Sequence, residues 1–507
     1  MNERSARRRG GDPSSRRAII DIGSNSVRMV VYGGTPRVPV IVNNEKVTAR
    51  LGRSLSKTGR IDDEAMALAL GVLARFALLL ADLDIPDVEV VATAAARDAS
   101  NREELLAGVR RLGLTPRVLS GEEEARLSAM GIIGAFPGAS GTVADLGGGS
   151  LELVDIGDKV ITGAVSLPLG TLRLPALEQG GDGRLSRAIT GILAEAGRDA
   201  PIKGPLYMVG GTWRALAIFA MHRRRHPLSD PHGFRLEAGE AMAIAREVIA
   251  AGPETLRAVP RISGTRAGNL PHAATLLVIM LKRLQPEALV FSSWGLREGL
   301  LFDRLSPQAQ AQDPLLVGIG HFAAQHGAPP TLAARVAGWT TGAVPAGGRG
   351  SERLRLAATM LALASLQVEP NLRLDQAVEW ALYKRWLNID DTGRAMLAAA
   401  VLGNGGCTEL PRKLVGLGPA ECLEEALCWG LAVRLCRRLG ASSQKSLHVS
   451  SLDVEGGRLV LRLQRSHAAL YGQPTRKDMK ALGERLGLVP EVEIVDEYRF
   501  SSVGEIA

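Results

Sequence analysis

The residues with the clearest chemistry begin near the amino terminus, in the run Asp21-Ile22-Gly23-Ser24-Asn25-Ser26. An apolar stretch before it brings a carboxylate to the mouth of a turn. The glycine lets the backbone approach a ligand closely, and the three polar residues after it offer N–H groups and short side chains that suit phosphate oxygens. Structural turns have the same composition, so this run alone leaves both interpretations open.

A second run has the same pattern and more glycine, in Asp145-Leu146-Gly147-Gly148-Gly149-Ser150-Leu151-Glu152. Three consecutive glycines remove side chains from the turn and expose a row of N–H groups. The flanking carboxylates of Asp145 and Glu152 could hold a hydrated Mg²⁺, which prefers carboxylates, waters and phosphate oxygens. A glycine-rich hairpin is the structural alternative. The repeated Asp-x-Gly-x-x-Ser pattern favours two loops that grip one phosphate chain from both sides.

Three consecutive glutamates, Glu122, Glu123 and Glu124, follow Ser120 and Gly121 at a predicted helix start. Acidic residues there complement the helix dipole, and Ser120 with Glu123 has the spacing of a capping box. Since successive helical residues point about 100° apart, at most one of the three needs to face a cleft. Next to an anionic substrate, such a carboxylate could orient a water and accept its proton.

The elements that must position these residues form two similar cycles. Each opens with a strand, an Asp-x-Gly turn and two more strands, over residues 18–42 and 142–165. Helical patterns follow the first cycle at 62–83 and 102–112, and the second at 185–196, 213–221, 238–250 and 272–284. The pattern predicts an α/β fold with an internal duplication.

Six segments occur in the order AIIDIGSNSVRMVVY, VVATAAARDASN, SGEEEARLSAMGI, VADLGGGSLELVDI, MVGGTWRALA and FSSWGLREGLLFDRL. Over residues 17–305 the chain resembles the exopolyphosphatase / guanosine pentaphosphate phosphohydrolase family. The resemblance implies two ribonuclease-H-like (actin-like) domains around a cleft. It implies that Glu124 is the catalytic base for the attacking water, and that Asp145 and Glu152 bind magnesium and orient phosphate. It assigns substrate binding to the first loop at Asp21, Gly23, Ser24, Asn25 and Ser26, and to the second at Gly147, Gly148, Gly149 and Ser150.

Arginines also stand where that family has them near the phosphate path, at Arg28 and Arg97. Arginine can direct two N–H donors at one phosphate, although both could equally lie on the surface or between domains. The turn Gly210-Gly211-Thr212 resembles the adenosine-side turn of the actin-like superfold, and a packing turn explains it nearly as well. Arg297 opens a helix that could cross back between the domains, and direct contact with substrate is the weaker interpretation for it.

The last third of the chain is mostly helical, and the long form of the family implies a domain related to HD phosphohydrolases there. None of the eight histidines precedes an aspartate, so we expect that domain to lack an HD metal site. The predicted parts are a disordered basic tail at 1–17, actin-like domains at 18–138 and 139–306, a helical HD-like domain at 313–441, and a small α/β domain at 446–507.

The basic tail contains six arginines and two acidic residues, so its own net charge of +4 is half of the formal net charge of +8. A modest positive field suits a polyanion without requiring nucleic acid, and aromatic residues are only 4%, which disfavours base-stacking surfaces. We expect no signal peptide and no membrane span. The four cysteines lack C-x-x-C spacing and read as reduced thiols, so the expected compartment is the cytoplasm.

The predicted enzyme is therefore a Mg²⁺-assisted phosphoanhydride hydrolase that releases terminal phosphate from inorganic polyphosphate, as a homodimer. The close alternative is a guanosine pentaphosphate 5′-phosphohydrolase, which needs the same catalytic parts. Two other classes are weaker. A sugar kinase or chaperone of the same superfold does not explain the acidic helix start, and a non-enzymatic sensor of guanosine tetraphosphate would not need the three carboxylates.

Overall fold

The computed structural model describes residues 16–157, 160–178, 183–344, 347 and 351–496. The chain forms two compact units, Met1–Pro314 and Leu315–Ala507. Residues 1–15 of the predicted basic tail and residues 497–507 of the predicted carboxy-terminal domain lie outside the described residues.

The first half of the first unit is built on a five-stranded sheet of order β3-β2-β1-β4-β5. Its elements are β1 (Arg17–Ile22), β2 (Val27–Gly34), β3 (Pro39–Val47), α1 (Leu55–Thr58), α2 (Asp63–Asp82), β4 (Val88–Ala92), α3 (Ala94–Asp98), α4 (Arg102–Arg111), β5 (Pro116–Val118) and α5 (Gly121–Ala135). The first three strands are antiparallel, β4 pairs with β1 in parallel, and β5 pairs with β4 in parallel.

The second half repeats this arrangement in a six-stranded sheet of order β10-β11-β9-β6-β7-β8. Its elements are β6 (Gly141–Leu146), β7 (Leu151–Gly157), β8 (Val160–Leu167), α6 (Leu174–Glu178), α7 (Arg184–Glu195), β9 (Leu206–Val209), α8 (Gly211–Arg223), β10 (Arg235–Glu237), α9 (Ala238–Ala250), α10 (Pro253–Ala258), α11 (Gly264–Leu284), β11 (Ala288–Ser292), α12 (Leu296–Asp303) and α13 (Pro307–Ala311). Again three antiparallel strands are followed by two parallel ones. The two cycles predicted from the sequence are therefore two copies of one topology.

Helix α5 connects the cores of the two halves, because its small residues allow close packing on opposite sides. Leu127 packs with the cluster that contains Ile19 of β1, whereas Ala125 and Ala129 belong to the cluster under β6 and β7. Glycine also lets α12 cross α5 closely, since a β-carbon on Gly299 would lie 1.8 Å from the carbonyl oxygen of Leu127. A side chain on α5 is thus held at a fixed place between the two sheets.

One predicted helix boundary in this unit is wrong. The sequence predicted a helix over residues 272–284, which begins directly after Pro271, a residue type that is unfavourable inside helices. The structure continues α11 back to Gly264 with the proline inside it. The two missed turns contain Arg266, which lies in the cleft.

Helix α2 is long and apolar enough, by length and composition, to cross a membrane. Five of its residues are buried in the first core, at Met66, Ala69, Leu73, Phe76 and Leu80. Since the core helix of a globular domain passes the same test, this single helix is weak evidence for a span.

The second unit consists of a helical region followed by a three-stranded sheet of order β12-β13-β14. Its elements are α14 (Pro314–Gln325), α15 (Pro330–Thr340), α16 (Ser351–Ala364), α17 (Arg373–Tyr383), α18 (Asp391–Gly405), α19 (Arg412–Val415), α20 (Ala420–Gly440), α21 (Gln444–His448), β12 (Ser450–Glu455), β13 (Arg458–Gln464), α22 (Gln473–Leu486) and β14 (Val489–Val495), with 3₁₀ turns at Ser365–Gln367 and Arg465–Leu470.

Helix α18, the central helix of this unit, was not predicted from the sequence. Twelve of its residues are buried, so it has no polar face and no helical period for a pattern to detect. The four cysteines of the unit are free thiols. The fold class, α/β with a helical carboxy-terminal region, is as predicted.

Candidate functional site

Both predicted loops are four-residue turns that join the first two strands of their sheets. The N–H of Gly23 donates to the carbonyl of Ser26 at 3.1 Å, and the N–H of Gly147 donates to the carbonyl of Ser150 at 3.0 Å. The same closure in both halves leaves the intervening N–H groups available to a ligand.

The two loops face each other at backbone distance. A β-carbon on Gly148 would lie 3.1 Å from the backbone nitrogen of Asn25, and one on Gly149 would lie 2.6 Å from Ser24 Oγ. Behind the second loop, a β-carbon on Gly170 would lie 2.3 Å from the carbonyl carbon of Gly149. Glycine is therefore required where the loops meet, because any side chain would push them apart.

Strand register gives the two loops different electrostatics. In the first hairpin Asp21 lies directly opposite Arg28, whereas in the second Asp145 lies directly opposite Glu152. Like charges directly opposite on paired strands destabilise a sheet. The second hairpin therefore concentrates negative charge that a cation would balance.

Helix α5 brings one of the three consecutive glutamates into this site. Ser120 caps the helix by accepting the N–H of Glu123 at 3.1 Å, and Glu123 pairs outside the site with Arg117. Glu122 is exposed, whereas Glu124 is 8% exposed. Of the three glutamates, the one that the family resemblance indicated is therefore the buried one.

Glu124 pairs with an arginine of the first half. Arg97, on α3, donates from Nη1 to Glu124 Oε2 at 3.0 Å and to the carbonyl of Leu119 at 3.2 Å. Burial raises the pKa of Glu124 to about 7, although Arg97 opposes the shift. A carboxylate with that pKa is suited to accept a proton near neutral pH.

The two carboxylates of the second hairpin are held by hydroxyl groups. Ser128, one turn after Glu124 on α5, donates to Asp145 at 2.5 Å, and Ser166 of β8 donates to Glu152 at 2.8 Å. Burial raises the pKa of Asp145. Burial, followed by the charges of Glu124 and Asp145, raises the pKa of Glu152 well above its ordinary range.

These carboxylates fit a magnesium ion that shares its coordination with the substrate. Hard oxygen donors are what Mg²⁺ takes, and it commonly uses one or two carboxylates together with waters and phosphates. Within the described ranges, no group of three or more His, Cys, Asp or Glu side chains forms a metal cluster. Asp145 and Glu152 would supply two carboxylate ligands to such an ion, and a phosphate ligand would supply further oxygens.

Arg297 connects the crossing helix α12 to the first loop. Its Nη1 lies 3.1 Å from Asp21 Oδ2, and burial raises the pKa of Asp21 against the charges of Arg297 and Arg28. The next residue, Glu298, accepts the hydroxyl of Tyr32 at 2.7 Å and the N–H of Gly295 at 3.1 Å. Arg297 thus links α12 to the first loop, whereas the sequence suggested only that this helix could cross back between the domains.

A cleft cavity of about 660 Å³ contains most of the predicted site. Its lining includes the first loop, Arg28, Glu124, Asp145, the glycines of the second loop and Ser150. Two predicted residues lie elsewhere: Arg97 reaches the site through Glu124 and lines a neighbouring cavity, and Glu152 is 1% exposed beneath the second loop. The turn at Gly210, Gly211 and Thr212 also lines the cleft cavity.

Five basic side chains, here called the cation cluster, line the same cavity: Arg28, Lys46, Arg214, Arg266 and Arg297. In the part of the chain that is described, no carboxylate lies within ion-pair distance of the three members Lys46, Arg214 and Arg266. Burial, followed by the charges of other members, lowers the pKa of Lys46 and lowers that of Arg214 to about 10. Such mutual repulsion is relieved when a polyanion binds.

Lys46, Arg214 and Arg266 were not predicted from the sequence. Lys46 lies in the polar second half of β3, beyond residue 42, where the predicted strand ended. Arg214 follows the Gly210 turn by four residues and could have been noticed there. Arg266 lies in the part of α11 that Pro271 concealed.

Comparisons with known proteins cover the first unit. The model of the Ppx/GppA phosphatase family matches residues 30–308. Exopolyphosphatase 2 of Mycobacterium tuberculosis is 29% identical over 297 residues, which are 54% of this chain and 92% of the relative. Exopolyphosphatase 1 of Mycobacterium bovis is 27% identical over 321 residues, 58% of this chain and 89% of the relative.

Solved structures agree. The Ppx/GppA family member of Aquifex aeolicus aligns with a TM-score of 0.50 and 27% identity, over 57% of this chain and 97% of that one. An exopolyphosphatase-like protein aligns with a TM-score of 0.51 and 28% identity, over 58% of this chain and 98% of that one. These findings confirm the family resemblance and the actin-like fold, and with them the expectation of a phosphoanhydride hydrolase. The chain belongs to the Ppx/GppA phosphatase family.

Proposed function

We propose that this protein is an exopolyphosphatase, which releases orthophosphate from the end of inorganic polyphosphate by attack of water. The observation that carries the proposal is a buried carboxylate with a pKa of about 7 in a cavity lined also by two phosphate-type loops and five cations. The loops suit one phosphoryl group, and the cation cluster suits the further charges of a linear chain.

In the proposed reaction the terminal phosphoryl group lies between the two loops, beside Glu124. A water oxygen bonds to the terminal phosphorus while Glu124 takes a proton from that water. The bond from the phosphorus to the bridging oxygen breaks, and that oxygen leaves as the new end of the shortened chain. Because positioning and charge stabilisation dominate phosphoryl transfer, no covalent nucleophile is needed.

The remaining residues of the site bind the phosphate oxygens and orient the reacting side chains. The N–H groups of the loops and the cation cluster fix the phosphate oxygens, and Arg97 orients the Glu124 carboxylate at 3.0 Å. Arg297 holds Asp21 in the first loop. Mg²⁺ held by Asp145 and Glu152, when bound, would supply positive charge against the phosphate oxygens.

Guanosine pentaphosphate is the second candidate substrate, because the turn at Gly210–Thr212 lines the same cavity. Against it, none of the described residues that line this cavity is aromatic, so no ring is available for a guanine to stack on. Polyphosphate needs only the cations.

Phosphate release from each substrate, measured side by side with the purified full chain and its Glu124→Gln variant, tests the proposal. We expect faster release from polyphosphate and a large loss in the variant. Faster release from guanosine pentaphosphate would show that this nucleotide, and not polyphosphate, is the preferred substrate. Release from neither substrate would contradict the proposed reaction.

A further inference from the structure

A second cavity, of about 600 Å³, meets the cleft cavity at the second loop. The two cavities share Gly149 and Ser150 as lining residues. The rest of the second cavity is formed by residues 120–122 at the start of α5, residues 164–168 at the end of β8, and Ala196 after α7. The proposed reaction leaves this space unused.

Arginine and aspartate side chains connect the second cavity to the reacting centre. Arg97 lines it while bonding Glu124, which lines the cleft cavity. Arg97 Nε lies 3.5 Å from Asp98 Oδ1, and Arg173 pairs with the other oxygen of the same carboxylate. Two guanidinium groups thus share one carboxylate, and both remain partly exposed to the cavity, at 23% for Arg97 and 29% for Arg173.

We propose that the second cavity is the exit for the orthophosphate product, with Arg97 and Arg173 as successive contacts for the departing anion. This inference rests on the proposed function. In this proposal the shortened chain stays in the cleft cavity, held by the cation cluster. The product formed beside Glu124 then leaves past Arg97, which bonds Glu124 and lines the second cavity. Release through the second cavity lets the chain stay bound for the next cleavage.

The proton transfer favours this direction. Before the reaction, the ionised carboxylate of Glu124 balances Arg97 at 3.0 Å. Once Glu124 has taken the proton of the attacking water, Arg97 loses that counter-charge at the moment when an orthophosphate anion appears beside it. A charge-assisted bond from guanidinium to phosphate is strong and directional, so Arg97 then attracts the product.

The first test fills the exit. Ala196 is half-buried on the cavity wall and makes no side-chain contribution to the reaction. We expect Ala196→Trp to cleave the first terminal phosphate at the wild-type rate in a single turnover, and then to turn over at least about tenfold more slowly, giving a burst of one phosphate per site. Ala194→Trp, at an exposed position near the end of the preceding helix α7, is the matched control and should behave as wild type.

The second test uses product inhibition by inorganic phosphate. Arg173→Gln should weaken that inhibition several-fold with the single-turnover rate unchanged, whereas Arg187→Gln, an exposed arginine outside both cavities, should not. Steady turnover of Ala196→Trp equal to that of Ala194→Trp, without a burst, overturns the inference. If Ala196→Trp also loses its first turnover, the test passes to Arg173→Gln. Inhibition of that variant by inorganic phosphate as strong as that of the wild-type chain then overturns the inference. If the wild-type chain itself releases no phosphate, the proposed function fails. That result differs from the two outcomes that overturn the exit alone, because both of those need an active wild-type chain.

Discussion

Replacing Glu124 by glutamine should make the protein more stable above neutral pH and nearly inactive. Burial raises the pKa of this carboxyl from its ordinary 4.5 to about 7. At about 1.36 kcal/mol per pKa unit, keeping the buried group ionised costs the fold about 3 kcal/mol. Glutamine has the shape of the protonated acid and can still accept from Arg97, so it removes that cost.

The sign of the effect depends on pH. Because the folded pKa is raised, folding disfavours the ionised form. The cost is absent below pH 4.5, where the group is protonated in both states, grows between 4.5 and 7, and is complete above 7. Glu124→Gln should therefore raise the melting temperature of the first unit at pH 8 and leave it unchanged near pH 4.5.

Thermal unfolding of the metal-free full chain at both pH values measures this. Glu122→Gln is the matched control, since Glu122 is exposed on the same first turn, and it should change neither value. The same preparation should lose turnover by about 10²- to 10⁴-fold, the usual contribution of a general base, while binding polyphosphate as tightly as wild type. A variant that is less stable at pH 8, or that hydrolyses polyphosphate at the parent rate, would refute the reasoning.

Three further predictions test the parts around that glutamate. Activity should rise with pH, with a midpoint near 7, as Glu124 ionises. Arg97→Gln should shift that midpoint to higher pH by about one unit or more, because the arginine favours the ionised carboxylate. An unchanged midpoint contradicts the role of Arg97. Gly149→Ala should lower kcat by about 100-fold through displacement of the loops, whereas Gly239→Ala, with open space at its β-carbon, should keep full activity. Arg266→Gln should raise KM for long chains about tenfold with little change in kcat, compared with no change for Arg246→Gln on the exposed face of α9.

The features that were predictable from the sequence are those encoded by near neighbours. Each loop joins adjacent strands, so its carboxylate and glycines appear in one short run, and the repetition at residue 145 revealed the duplication. The choice among three glutamates needed only the family resemblance and the rotation per helical residue. These local signals were sufficient to locate both loops and to single out the glutamate that we propose as the catalytic base.

What the sequence could not reveal depends on distant contacts. Arg97 and Glu124 pair across 27 positions, and Arg297 reaches Asp21 across 276, so their partners follow only from the fold. The cation cluster gathers from β2, β3, α8, α11 and α12. The family resemblance indicated Arg28, but the sequence gives no sign that Lys46, Arg214 and Arg266 join it in one cavity.

The dimer and the metal remain predictions of the sequence analysis that solution experiments can address. We expect the full chain to elute as a homodimer, and removal of divalent cations by a chelator to abolish turnover without unfolding the first unit. A monomer with full activity would contradict the first expectation, and undiminished turnover in the chelator would contradict the second.

The central claim is tested most directly by following the products that the purified full chain forms from long-chain polyphosphate. Attack at the chain end predicts orthophosphate as the sole small product from the first turnover, with no release by Glu124→Gln. Fragments of intermediate length at early times, equal release by the variant, or no release by the wild-type chain would contradict the account.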